Sequence, residues 1–304
     1  MAGPGLLTQR RGAGVLQAAA PLVAERELQQ TSWLADGSVG ARTLLSQSED
    51  RLPAIALGGH RGMGENLVGK EQGDLRPRRF RENTVRSFVQ AAQAGASFVE
   101  FDVQVTADGV PPWAVREDDD LPTLAEVFKG VPESVGFDIE VKMTTPDNLP
   151  AAPAAEVERM VSAILATVDR VAAYSSRTIV FTSFDPDVCR VLRARQARCP
   201  VMFLSGGGAY AHVDARRTSV PGAVAWALEA GLQGLVLEAG SVQAQPEAVA
   251  AARRKGLMVL TYGLQNNDPA WVRRQAHLGV HAVIVDDVER IAAALHLTPV
   301  PAAA

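Results

Sequence analysis

From residue 51 onward the chain repeats one unit, a short run rich in Val, Ile, Leu and Phe followed by a helix-like stretch. Continuous apolar runs of this kind, rather than alternating ones, are what parallel strands covered by helices require. Eight stand at 55–59, 98–104, 135–141, 179–183, 201–204, 234–238, 258–262 and 282–285. Helices are predicted at 84–95, 122–130, 153–173, 186–197, 221–230, 246–255 and 268–278, several opened by Pro or an acid near the first turn. The class is α/β. Eight strands with helical returns suit a closed (β/α)8 barrel of about 250 residues. The alternative, an open doubly wound sheet, lacks its GxGxxG string after the first strand.

Residues 1–50 show no such alternation and are read as an N-terminal extension, with one barrel domain over 51–304. Residues 1–24 contain Arg10, Arg11, many alanines and no acid, a composition compatible with an organellar transit segment. Acids begin at Glu25 and serines are scarce, which favours a variable tail and a cytoplasmic protein, with plastid or mitochondrial import as the lesser alternative. With 34 acidic against 30 basic residues and a net charge of −4, nothing calls for nucleic acid as a partner. Cys189 and Cys199 give neither a disulfide framework nor a zinc spacing. No run of about 18 apolar residues argues for a transmembrane helix.

The first strand ends in Gly58-Gly59-His60-Arg61-Gly62, and a polar connection, 67–81, follows it at the C-terminal mouth of the barrel, where such folds place their chemistry. Histidine transfers protons near neutral pH and arginine offers phosphate a fixed fork of donors, although a strand-end histidine is as often structural. Glu100 and Asp102, two residues apart in the second strand, project to one face. Two inward acids repel each other unless a cation lies between them, and a hard divalent ion, Mg²⁺ or Ca²⁺, accepts such oxygen ligands. A solvated edge would also accommodate them, but Phe98, Val99, Phe101 and Val103 are too apolar for one. Asp138, Glu140 and Lys142 share one parity in the third strand. Glu140 can complete a metal site, and Lys142 can neutralise a phosphate, with a plain ion pair as the competing account.

The strings GHRGMGEN, RENTVRSFVQAAQAGASFVEFDVQVTADGVP and VGFDIEVK together resemble the glycerophosphodiester phosphodiesterases, especially the eukaryotic branch acting on glycerophosphocholine-like diesters. Weaker echoes, FTSFDPDVCRVLR, TYGLQNND and AVIVDD, extend the resemblance over 55–288. It implies a phospholipase C-like (β/α)8 barrel that uses a divalent metal to hydrolyse a small glycerophosphodiester to glycerol 3-phosphate and an alcohol. It also implies that His60 is a catalytic acid/base, that Arg61 binds phosphate, and that Glu100, Asp102 and Glu140 ligate the metal. Lys142 would support the anion, and Glu82 would be a further site carboxylate, although it also precedes a helix cap at Asn83 and Thr84.

One departure stands out. The family follows Glu-x-Asp with a strand carrying a second His-Asp and then an insertion, whereas here DGVPP runs directly into WAVREDDDLPTLAEVF, and no histidine lies between His60 and His212. A segment of several dozen residues is therefore expected to be absent. The barrel should then be incomplete near strand 3 with an exposed sheet edge, 110–115 being the remnant of a lost element, and turnover should be impaired. Asp118, Asp119 and Asp120 could replace the lost group, but read better as a solvated loop. Two other readings remain, a non-catalytic metal- and phosphate-binding regulatory barrel and a phospholipase C/D-like lipid phosphodiesterase.

Overall fold

A computed structural model of the protein describes residues 53–65, 80–105, 121–143, 148–172 and 175–297. The extension 1–50, most of the 67–81 connection, the 110–115 remnant and Asp118 to Asp120 lie outside the described residues.

Eight parallel strands close in sequence order into a barrel, each paired to its neighbours and β8 to β1. They are β1 Ala56–Gly59, β2 Phe98–Val103, β3 Gly136–Val141, β4 Ile179–Ser183, β5 Val201–Ser205, β6 Gly234–Glu238, β7 Met258–Tyr262 and β8 Ala282–Val285. All eight apolar runs are strands. The edge expected near the third strand does not occur, because β2 and β3 pair from Phe98↔Gly136 through Val103↔Val141.

The helices are α1 Val85–Gln93, α2 Leu124–Gly130, α3 Ala154–Val171, α4 Pro186–Arg195, α5 Val220–Glu229, α6 Ala239–Ala244, α7 Glu247–Arg254, α8 Pro269–Leu278 and α9 Val288–Leu295. Their starts follow side-chain chemistry: Thr84 accepts from Ser87 N, Asp185 and Asp268 precede Pro186 and Pro269, and Thr123 with Glu126 forms a capping box at α2. Helices α6 and α9 were not expected. The first is short, and the second follows Asp286-Asp287, where the acids masked the apolar face of Val288, Ile291 and Ala292.

Alternation along the strands divides the core in two. Outward side chains meet the helices, as where Phe88 of α1, Phe101 of β2, Phe137 of β3 and Phe128 of α2 stack in succession with centroids 5.0–5.2 Å apart. Through Phe128 on Phe137 the series lays α2 against β3. Inward side chains fill the barrel with a second cluster, including Phe98, Met202, Val236 and Leu260. Gly58 of β1 is required there, because a Cβ would overlap the Phe98 ring. Cys189 and Cys199 are free and buried, and burial pushes both thiols upward in pKa, which disfavours the thiolate. Among the described residues no helix is long and apolar enough to cross a membrane.

Candidate active site

The inward positions of β2 and β3 turn from apolar to acidic toward the C-terminal mouth, from Phe98 opposite Gly136 to Glu100 opposite Asp138 and Asp102 opposite Glu140. One oxygen from each of Glu100, Asp102 and Glu140 lies within 4.8 Å of the others. Two cations balance them in part. Lys142 Nζ is 2.9 Å from Asp102 Oδ1 and 2.6 Å from Glu140 Oε1, and Arg61 Nε is 3.0 Å from Asp102 Oδ2. Among the described residues Glu100 has no lysine or arginine side chain at such a distance: Oε2 accepts the Arg61 backbone N–H at 3.0 Å, while buried Oε1 has no hydrogen-bond partner.

Burial raises the Glu100 carboxyl to about 7, the His60 charge opposing and those of Asp102 and Glu140 adding. Glu140 is also raised by burial, with Lys142 opposing. At Asp102 burial acts upward too, but Lys142 and Arg61 outweigh it and the carboxyl is lowered. Asp138 is held well above the carboxylate range by burial and by Glu100, and it accepts Thr182 Oγ1 at 2.7 Å. An all-oxygen donor set with one orphaned buried oxygen fits a hard divalent cation.

His60 lies at the end of β1. Its Nε2 is 3.9 Å from Glu100 Oε2, and its Nδ1 is 2.8 Å from Asp286 Oδ1 beyond β8. Burial works to lower the imidazole pKa, but the Asp286 hydrogen bond and the Glu100 charge raise it to about 9 in the metal-free arrangement. Burial alone would raise Asp286, yet His60 and the N–H donors of Glu65 and Asn267 hold it down to about 2. Arg61 adopts a left-handed φ of 48°, a strained conformation for a residue with a side chain. It lets the Arg61 carbonyl accept Asn83 N at 3.0 Å while its N–H serves Glu100. Asn83 in turn donates to Asp102 Oδ2 at 3.1 Å.

The structure thus brings His60, Arg61, Glu100, Asp102, Glu140 and Lys142 together. Glu82 stands farther out, 3.4 Å from Arg61 Nη1, beside a second cavity of about 390 Å³ that Phe101 and Leu124 also line. The main cavity, about 620 Å³, runs from His60 and the acids to Phe184, Tyr210, His212, Glu238 and Tyr262. Sequence reasoning missed Asp286, Asn267, Asn83 and this far wall, because nothing local marks a loop polar residue as facing the mouth. The Asp pair after AVIV was the available signal for Asp286. His212 brings a second imidazole into the cavity. Its Nδ1 accepts Asp214 N–H at 2.9 Å, which leaves the proton of the neutral ring on Nε2, 2.6 Å from Arg217 Nη1.

A closed parallel barrel whose mouth holds clustered carboxylates, an imidazole and phosphate-matched cations defines the class of metal-assisted phosphoric diester hydrolases. The family profile described as the glycerophosphoryl diester phosphodiesterase family matches residues 60–112 and 113–290. The chain belongs to that family. The two matched pieces abut at Pro112 and Trp113, the position where the sequence departs from the family pattern. Glycerophosphodiester phosphodiesterase GDPD2 of Arabidopsis thaliana is 32% identical over 297 residues, 79% of this chain and 77% of that protein. Glycerophosphocholine phosphodiesterase GDE1 of Candida albicans is 29% identical over 76% of this chain, which spans 28% of that longer protein. A glycerophosphodiester phosphodiesterase from Parabacteroides distasonis shares the fold, with a TM-score of 0.61 at 19% identity, covering 81% of this chain and 98% of that one. An Oleispira antarctica phosphodiesterase solved with sn-glycerol-3-phosphate aligns at a TM-score of 0.58 and 18% identity, over 79% of this chain and 96% of its own.

Proposed function

We propose that this chain hydrolyses small glycerophosphodiesters, glycerophosphocholine among them, to glycerol 3-phosphate and an alcohol, with Mg²⁺ or Ca²⁺ as its metal. Turnover is reduced because the chain lacks the family's second catalytic histidine. The observation that carries this reading is the placement of His60 Nε2 3.9 Å from Glu100, a member of the three-carboxylate cluster.

Glu100, Asp102 and Glu140 would hold the ion, which when bound supplies Lewis-acid polarisation of phosphoryl oxygen. Arg61 and Lys142 orient the phosphate and offset the charge that develops on it. His60 takes at Nε2 a proton from the attacking water, whose oxygen bonds to phosphorus as the bond to the leaving alcohol oxygen breaks, and that oxygen takes its proton from solvent. A positioned acid in that role contributes typically 10²–10⁴ in rate. Relatives named as glycerophosphocholine phosphodiesterases support the choice of substrate.

Restoring a family segment containing His-Asp between Pro112 and Trp113 tests the impairment. Release of glycerol 3-phosphate from glycerophosphocholine should rise on the order of 10²–10⁴-fold, and equal rates in the two proteins would refute it. A second reading, a barrel that binds metal and phosphate without turnover, is favoured by the same missing histidine. It predicts metal binding with no release in this chain.

A further inference from the structure

We propose that Asp286 is the positioning residue for His60, and that Asn267 positions Asp286. The proposal rests on the reading of His60 as the acid/base group and deepens it. An imidazole at a strand end can rotate about two bonds and present either nitrogen to the site. Here the choice is fixed. The Asp286 carboxylate is an acceptor only, so Nδ1 at 2.8 Å from Oδ1 must carry the proton, and the neutral ring has its lone pair on Nε2. That nitrogen faces Glu100 and the main cavity. A buried carboxylate behind an imidazole does the same in hydrolytic triads, setting tautomer and orientation without taking the proton.

Both carboxylate oxygens accept a further donor, and the backbone behind them is tied to the same asparagine. Glu65 N donates to Oδ1 at 3.0 Å, Asn267 Nδ2 donates to Oδ2 at 3.0 Å, and Asn267 Oδ1 accepts the backbone N–H groups of Asp286 and Asp287 at 2.9 and 3.0 Å. Asn267 ends the 3-10 turn Leu264–Asn267 after β7, so a loop from one strand braces the acid of the next. An acid serving only to tie loops together would not need its oxygen on the ring nitrogen that points away from the cluster.

The test reads tautomer and turnover separately. Ring-nitrogen NMR of protein labelled with ¹⁵N-histidine, taken on the alkaline side of the His60 titration and with the His60 signals assigned by loss in His60→Gln, should show the neutral ring protonated at Nδ1. Asp286→Asn should shift it toward the Nε2-protonated or mixed form. In the same variant kcat for glycerophosphocholine should fall about 10²–10⁴-fold, with KM and divalent-ion affinity changed less than about threefold, and Asp286→Glu should recover part of kcat. Asn267→Ala, which keeps the carboxylate, should show a smaller loss of the same kind and serves if Asp286→Asn does not fold. A neutral ring protonated at Nε2 rather than Nδ1 in the unaltered protein, or a tautomer indifferent to both substitutions, overturns the proposal. The expected tautomer in a protein without turnover leaves the positioning role standing and rejects the hydrolase reading alone.

Discussion

Asp102 and Glu140 are register partners across β2 and β3, and the Lys142 ammonium lies 2.9 Å from one and 2.6 Å from the other. A pair of inward acids is thus bridged by a cation of the protein's own, while Glu100 beside them keeps a buried oxygen without a hydrogen-bond partner among the described residues.

The first expected outcome concerns that oxygen and its neighbours. Calorimetric titration should show one Mg²⁺ or Ca²⁺ bound per chain, released with rising acidity as the carboxyls protonate. Glu100→Ala combined with Asp102→Ala should abolish it, and unchanged binding in the double variant contradicts the assignment of these ligands.

Lys142 should oppose the metal and assist the substrate. Replacing it with Met removes a positive charge in contact with two ligands, so ion affinity should rise on the order of tenfold, about 1.4 kcal/mol, while turnover falls. A loss of ion affinity in Lys142→Met would show that the ammonium organises the carboxylates rather than competing for them.

Barrel closure predicts cooperative unfolding, measurable by circular dichroism and fluorescence on one coincident transition. Gly58→Ala should lower stability by about 1–3 kcal/mol, the usual cost of overpacking, because the added methyl enters the Phe98 ring. Separate transitions for the two probes would point to a barrel that is not closed.

The strands were legible because parallel barrel strands are buried on both faces, and the parity of Glu100, Asp102, Asp138, Glu140 and Lys142 followed from strand geometry alone. The closed barrel was legible in the count of eight runs with helical returns, but the unbroken β2–β3 pairing was not. That pairing joins Phe98–Val103 to Gly136–Val141 across the altered connection, and α2 lays Phe128 against Phe137 there, contacts that no local pattern records. Nor was the bracing of His60 visible, since Asp286 lies 226 positions away in sequence and the barrel brings its last strand beside its first.

The most direct test of the account is glycerol 3-phosphate release from glycerophosphocholine by the purified chain, measured with Mg²⁺ or Ca²⁺ and again after chelation. A slow release that requires the ion and disappears in His60→Ala is the predicted result. Release that survives chelation, or that is unchanged in His60→Ala, would contradict it.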